Sequence, residues 1–267
     1  MELRTVIRNG LLALAVVVTV TSAAVAQRPY GSGRQANERN VAGQFDYYAL
    51  VMSWSPSYCA GARREGYDPQ CDRQDGKRYS FVMHGLWPQY SPRGWPQDCP
   101  VRGRGAFVPR PLINSMLDIM PSDRLVIHEY RKHGTCSGLE PGPYYDLARK
   151  LFQAVRIPEQ YTNPFETTFV SPRELMADFS KVNPWLKPNM IAVDCGGPGN
   201  RLSEIRICFS KEGQPTACSR NEDQRKLCTA EKMYMPPVRA TNVGDVPAKD
   251  PSNQTPRPRL IPNARNL

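Results

Sequence analysis

The chain has 267 residues and carries 35 Lys and Arg against 25 Asp and Glu, for a formal net charge of +10 at pH 7. That balance suits a polyanionic partner, but many exported proteins are basic without binding nucleic acid, so charge alone assigns none. The absence of any internal repeat or CxxC pair excludes a repeat array and weighs against a structural metal. The apolar stretch near the N-terminus is well short of the ~20 residues a membrane-spanning helix needs, which weighs against an anchor, and no other segment could span a bilayer.

At the N-terminus Arg4 and Arg8 precede an apolar segment from Leu11 to Val20 and the small-residue stretch Ala24-Val25-Ala26, the three parts of a secretory signal peptide. Residues 1–26 are therefore expected to be removed after Ala26, with delivery to the periplasm or the medium. Residues 27–43 are polar and aperiodic and are expected to form a flexible leader. A single domain follows over 44–235.

Within it, Phe45 to Trp54 alternates at roughly period two and predicts a strand that leaves the core at Trp54-Ser55-Pro56. Ser57 to Arg78 predicts an irregular, disulfide-stapled loop. Tyr79 to His84 predicts a second strand that breaks at Gly85 and Pro88, leaving His84 and Trp87 at a rim. The proline- and arginine-rich segment from Gln89 to Pro111, with Trp95 in it, predicts a long loop of the kind that serves a site.

Leu112 to Ile119 has helical spacing, and Pro121-Ser122-Asp123 resets the chain before another helix. Apolar residues at i, i+3 and i+4 predict a helix over Pro143 to Val155. Ser171-Pro172-Arg173-Glu174 is a capping box with proline at the first helical position, opening a helix to about Val182. Met190 to Val193 and Ile205 to Phe209 predict strands. The fold class expected is α+β: a mostly antiparallel sheet packed with helices. From Pro236 to residue 267 the chain is proline-rich and basic and is expected to be a disordered tail, with a glycosylation sequon at Asn253-Gln254-Thr255.

The three histidines carry the chemistry. Two stand in His128-Glu129-Tyr130-Arg131-Lys132-His133-Gly134-Thr135-Cys136, and the third in His84-Gly85-Leu86-Trp87-Pro88. Read as a helix, the first segment pairs His128 with Lys132 and Glu129 with His133, one imidazole beside a cation and one beside an anion, so the two should titrate differently. A zinc-protease helix needs histidines at i and i+4; here they are five apart and turned roughly 140° on a helix of ~3.6 residues per turn. Lys132 opposes a dication further, so no metal and no other cofactor is expected.

HGLWP followed by HExxKHGTC resembles the two active-site signatures of the T2-type ribonucleases, in the family's order, and the likeness extends from about Gln44 through Tyr234. Tyr130 departs mildly, the family more often having tryptophan or phenylalanine there. The resemblance implies a disulfide-stapled endoribonuclease that needs no metal, forms 2′,3′-cyclic phosphates and has low base specificity. It implies His133 as base and His84 as acid, Lys132 and Glu129 supporting the transition state, and His128 holding the phosphate. Trp87, and less directly Trp95, are candidates for stacking on bases; a core tryptophan is the competing reading of Trp87. RNA is the implied partner, with no stable protein partner, so a monomer is expected.

All eight cysteines lie after Ala26, and an even count in an exported chain points to disulfides. Spacing leaves 105 connectivities; the resemblance implies Cys59–Cys71, Cys99–Cys136, Cys195–Cys228 and Cys208–Cys218. A rival reading is a basic binding or inhibitory protein that keeps the fold without turnover, but the intact set of His84, His128, Glu129, Lys132 and His133 argues against it.

Overall fold

Tyr47–Trp54 forms β1 because its run of apolar side chains suits a strand covered on both faces, and seven of its eight residues are buried. The computed structural model describes residues 40–238, apart from 62–66, 74, 77, 102–105 and 198. The expected signal peptide, all but the end of the leader, and the tail from 239 onward with its sequon lie outside the described residues.

β1 is flanked by β2 (Phe81–Gln89) and β5 (Arg201–Phe209), both antiparallel to it. Beyond β5 come β6 (Met233–Met235) and β3 (Thr168–Val170), while β4 (Ile191–Gly196) also pairs with β5. The sheet is mostly antiparallel, as expected; among the described residues the one parallel contact is Arg201 with Tyr234. The short strands β3 and β6 were not foreseen, since three residues carry too little periodicity to be read.

Two expectations are corrected here. The second strand does not end at His84 but runs on through Gly85 and Pro88 to Gln89. Proline is tolerated because β2 is an edge strand, where a missing N–H breaks no ladder bond. The segment after Trp54 is not wholly irregular: α1 (Ser55–Gly61) is a short helix that carries Cys59.

Helices α3 (Asp123–Lys132), α4 (Pro141–Ala154) and α5 (Pro172–Val182) fall where the sequence predicts them, α2 (Arg110–Met116) begins and ends earlier than the expected Leu112 to Ile119, and the single turn α6 (Gln224–Leu227) is not among the expected elements. In α5 both bonds of the capping box form, Ser171 accepting from the Glu174 amide and Glu174 from that of Ser171. The core gathers Trp54, Met52, Met83, Leu86, Tyr144, Tyr145, Phe179 and Ile205, all within 1 % of complete burial. Burying each large side chain contributes on the order of 1.5–3 kcal/mol. Pro236, Pro237 and Val238, expected to begin the tail, are instead buried. The Pro236 carbonyl accepts from the Trp54 indole at 3.1 Å, and the Val238 amide donates to Pro164 at 2.8 Å.

Four disulfides close the fold, pairing Cys59 with Cys71, Cys99 with Cys136, Cys195 with Cys228 and Cys208 with Cys218, the pairs implied by the resemblance. No described helix is long and apolar enough to cross a membrane.

Candidate active site

The site begins with an irregularity in β2. Val51 lies opposite Gly85 and Met52 opposite Met83, so His84 is an extra residue with no partner on β1. A bulge of this kind re-aims a side chain. Without it, His84 and Trp87, three apart, would point to opposite faces of the sheet. With it, Met83 and Leu86 enter the core while His84 and Trp87 meet on the other face, their rings 5.2 Å apart and nearly perpendicular.

α3 supplies the second half. Ser122 caps its N-terminus, Asp123 lies in its first turn and Arg131 and Lys132 in its last, all favourable to the helix dipole. Its buried stripe includes Val126 and Tyr130 but also Glu129, whose side chain is 2 % exposed. A buried carboxylate needs partners. One oxygen accepts from the Trp87 indole at 2.7 Å and the other lies 3.6 Å from His84 Nε2.

Glycine at 85 makes this approach possible, because a Cβ there would stand 2.2 Å from the Glu129 carboxylate and 2.6 Å from the Trp87 indole nitrogen. The helix stops at Lys132. His133 is its C-cap, and Gly134 begins a 3₁₀ turn to Ser137, tied through Cys136 to Cys99 in the loop after β2. Gly134 too has no room for a side chain, with the Tyr130 ring 2.4 Å from where a Cβ would be.

This corrects the expected pairing of Glu129 with His133. The Glu129 carboxylate turns to His84 and Trp87, and His133 instead stacks on the Trp87 ring, centroids 4.9 Å apart and planes at 26°. Burial, and then the positive charges of Lys132, His84 and His128, push the His133 imidazole down to about 3. Its Nδ1 is buried without a hydrogen-bond partner, so protonating the ring would leave a donor unsatisfied.

His84 moves the other way. Burial disfavours its charged form, but the hydrogen bond it donates to Glu204 and the charges of Glu204 and Glu129 outweigh burial and hold it above its ordinary value. Burial raises Glu129 as well, partly offset by His84 and the Trp87 hydrogen bond. Two imidazoles flanking one indole are thus biased in opposite directions.

Glu204 is the residue that sequence reading missed. Its carboxylate meets His84 Nδ1 at 2.5 Å and accepts from Ser53 at 3.3 Å. Arg206 bridges it to Asp194 at 3.4 and 2.8 Å, and the Arg206 guanidinium lies 5.4 Å over the Trp87 ring. Burial would raise the Glu204 carboxyl, but His84, Arg206 and Ser53 together hold it below its usual range. The strand expected from Ile205 starts one residue past Glu204 and so leaves it out. β5 in fact starts at Arg201, its alternation hidden by a second bulge at Ser203.

Of the residues singled out in the sequence, His84, Trp87, Glu129 and His133 come together. His128 is exposed and Lys132 half-buried, and both are close enough for their charges to act on Glu129 and His133. Trp87 is engaged by His133, Glu129 and Arg206 as part of the site wall. Trp95 stands 52 % exposed in the loop after β2, outside this cluster of contacts.

The model of the family described as "Ribonuclease T2 family" matches residues 45–218. The chain is 35% identical over 195 residues to the protein "Ribonuclease" of Aeromonas hydrophila, covering 71% of this chain and 83% of that one. It is 28% identical over 187 residues to "Probable ribonuclease" of Haemophilus influenzae, covering 67% and 63%. Among solved structures, RNase NT in complex with 5′-AMP superposes with a TM-score of 0.54 at 22% identity, over 72% of this chain and 98% of that one; at this identity the likeness speaks for the fold.

Proposed function

The chain belongs to the ribonuclease T2 family and is an RNA-cleaving enzyme, and on that premise we propose how its own residues divide the work. RNA carries its nucleophile in the ribose 2′-hydroxyl, so cleavage to a 2′,3′-cyclic phosphate needs proton transfer and charge stabilisation rather than a protein nucleophile. His133, neutral across the physiological range, takes the 2′ proton. His84, biased toward its charged form by Glu204 and Glu129, gives a proton to the departing 5′ oxygen. Lys132 and the exposed His128 face the extra negative charge on the phosphorus, and Glu129 keeps His84 and Trp87 in place.

The observation that carries this assignment is the opposite bias of the two imidazoles across Trp87. Separation of titration in one cleft is the signature of an acid and base pair. Trp87 acts here first as a positioning ring, and base recognition rests on stacking that tolerates every base, giving low base specificity.

Four disulfides suit an oxidising compartment, and with the N-terminal segment they support export to the periplasm or medium; cleavage after Ala26 and action as a monomer complete the proposal. The test is incubation of the mature protein with a defined oligoribonucleotide in chelator, product ends being identified by mass. Cyclic phosphate ends are expected, and a strand whose sugars are 2′-methylated should stay intact. Metal dependence, or cleavage of the methylated strand, would overturn the mechanism.

A further inference from the structure

The sheet face that carries His84 does not end at the catalytic cluster. On β4, Asp194 and Gly196 are two residues apart and point to one face; they lie opposite Glu204 and Arg201. Arg201 therefore shares the face of Glu204. Gly196 takes one side of Arg201 and Tyr234 the other, and Tyr234 lies opposite Phe169 on β3. Side chains paired across neighbouring strands point the same way, so Glu204, Arg201, Tyr234 and Phe169 line one surface. Arg201 is three residues from Glu204 along β5, roughly 10 Å at ~3.3 Å per residue.

The chemistry along that surface is consistent. Phe169 is 63% exposed, its ring 5.7 Å from that of Tyr234, and the Arg201 guanidinium lies 5.8 Å over Tyr234. Single exposed apolar residues are ordinary. Aromatic rings on adjacent strands with an arginine over them are the combination that binds single strands, π-faces for bases and a cation for phosphates.

We propose that Arg201, Tyr234 and Phe169 form a second RNA-binding track, continuous with the catalytic face, that holds a base beyond the two flanking the scissile bond. The occupant is the substrate strand itself: to be cleaved it has to lie at His84, on the face this surface continues, and it is a polyanion meeting a chain of net charge +10. The proposal rests on the ribonuclease reading. It implies that long strands bind more tightly than short ones without reacting faster.

The test compares a decaribonucleotide with a dinucleoside phosphate, using wild type, the double variant Phe169→Ala/Tyr234→Ala, Arg201→Gln, and Phe169→Tyr as the conservative control. The alanine variant should raise KM for the decamer roughly tenfold, as expected for lost base stacking, with kcat unchanged and both constants for the dinucleoside phosphate unchanged. Arg201→Gln should act in the same direction, more strongly at low salt, and Phe169→Tyr should match wild type. Equal KM for both lengths in wild type, or equal losses on both substrates, overturns the track. Binding of a 2′-methylated decamer is measured alongside and needs no turnover. A chain that cleaves nothing, yet loses this binding in the alanine variant, refutes the ribonuclease reading and leaves the track standing.

Discussion

Glu204 reaches across β1 to hold Nδ1 of His84 at 2.5 Å, joining residues 120 positions apart. This bond fixes the ring so that Nε2 is the nitrogen turned toward Glu129, and it stabilises the charged imidazole. Replacing Glu204 by glutamine removes the charge and keeps the shape. Because a protonated His84 is the active acid, its loss sets the alkaline limb of the rate profile. Glu204→Gln should therefore move that limb to lower pH and reduce kcat on the order of tenfold. Unchanged pH dependence of kcat would sink the positioning role.

The acidic limb should belong to His133. Its base form persists until the pH falls toward about 3, because burial and then Lys132 disfavour the proton. Lys132→Met removes one of those causes, so the limb should move to higher pH while kcat falls. The profile of kcat/KM against pH, measured on a dinucleoside phosphate, checks both signs.

His84→Ala and His133→Ala should each lower kcat/KM by about 10²–10⁴, and the double variant should lose far less than the product, since the two act as a pair. Secretion and the four disulfides should be unaffected. Activity of either single variant within a factor of a few of wild type would refute the assignment.

Gly85→Ala adds one methyl group where Glu129 and Trp87 leave none, at 2.2 and 2.6 Å. It should displace both side chains, cost about 1–3 kcal/mol of stability and reduce kcat more than KM. Thermal melts and kinetics of the same preparation separate the two effects.

Cys99→Ser with Cys136→Ser opens a loop of 37 residues' separation that joins the chain after β2 to the turn after His133. Stability should fall by about 2–4 kcal/mol. If the bridge holds the two halves of the site together, kcat should fall even at temperatures where the variant is fully folded.

Helices α4 and α5 were legible in the sequence because each carries its own instructions: an apolar stripe at helical spacing, and a capping box whose two bonds form as written. The two histidine-bearing segments were legible because their residue types are rare in combination. The course of β2 was not. Pro88 signals a break in isolation, and only its place at the sheet edge makes the strand continue.

The sequence alone determined which residues bring imidazole, carboxylate and ammonium to the chemistry, since those groups are fixed by residue type. Only the tertiary structure decided their partners. A one-residue bulge turned His84 onto the face of Trp87, packing turned Glu129 away from His133 toward His84, and β5 delivered Glu204 from far along the chain. The reason is physical: protonation bias comes from burial and from charges across strands, and neither is encoded in local spacing.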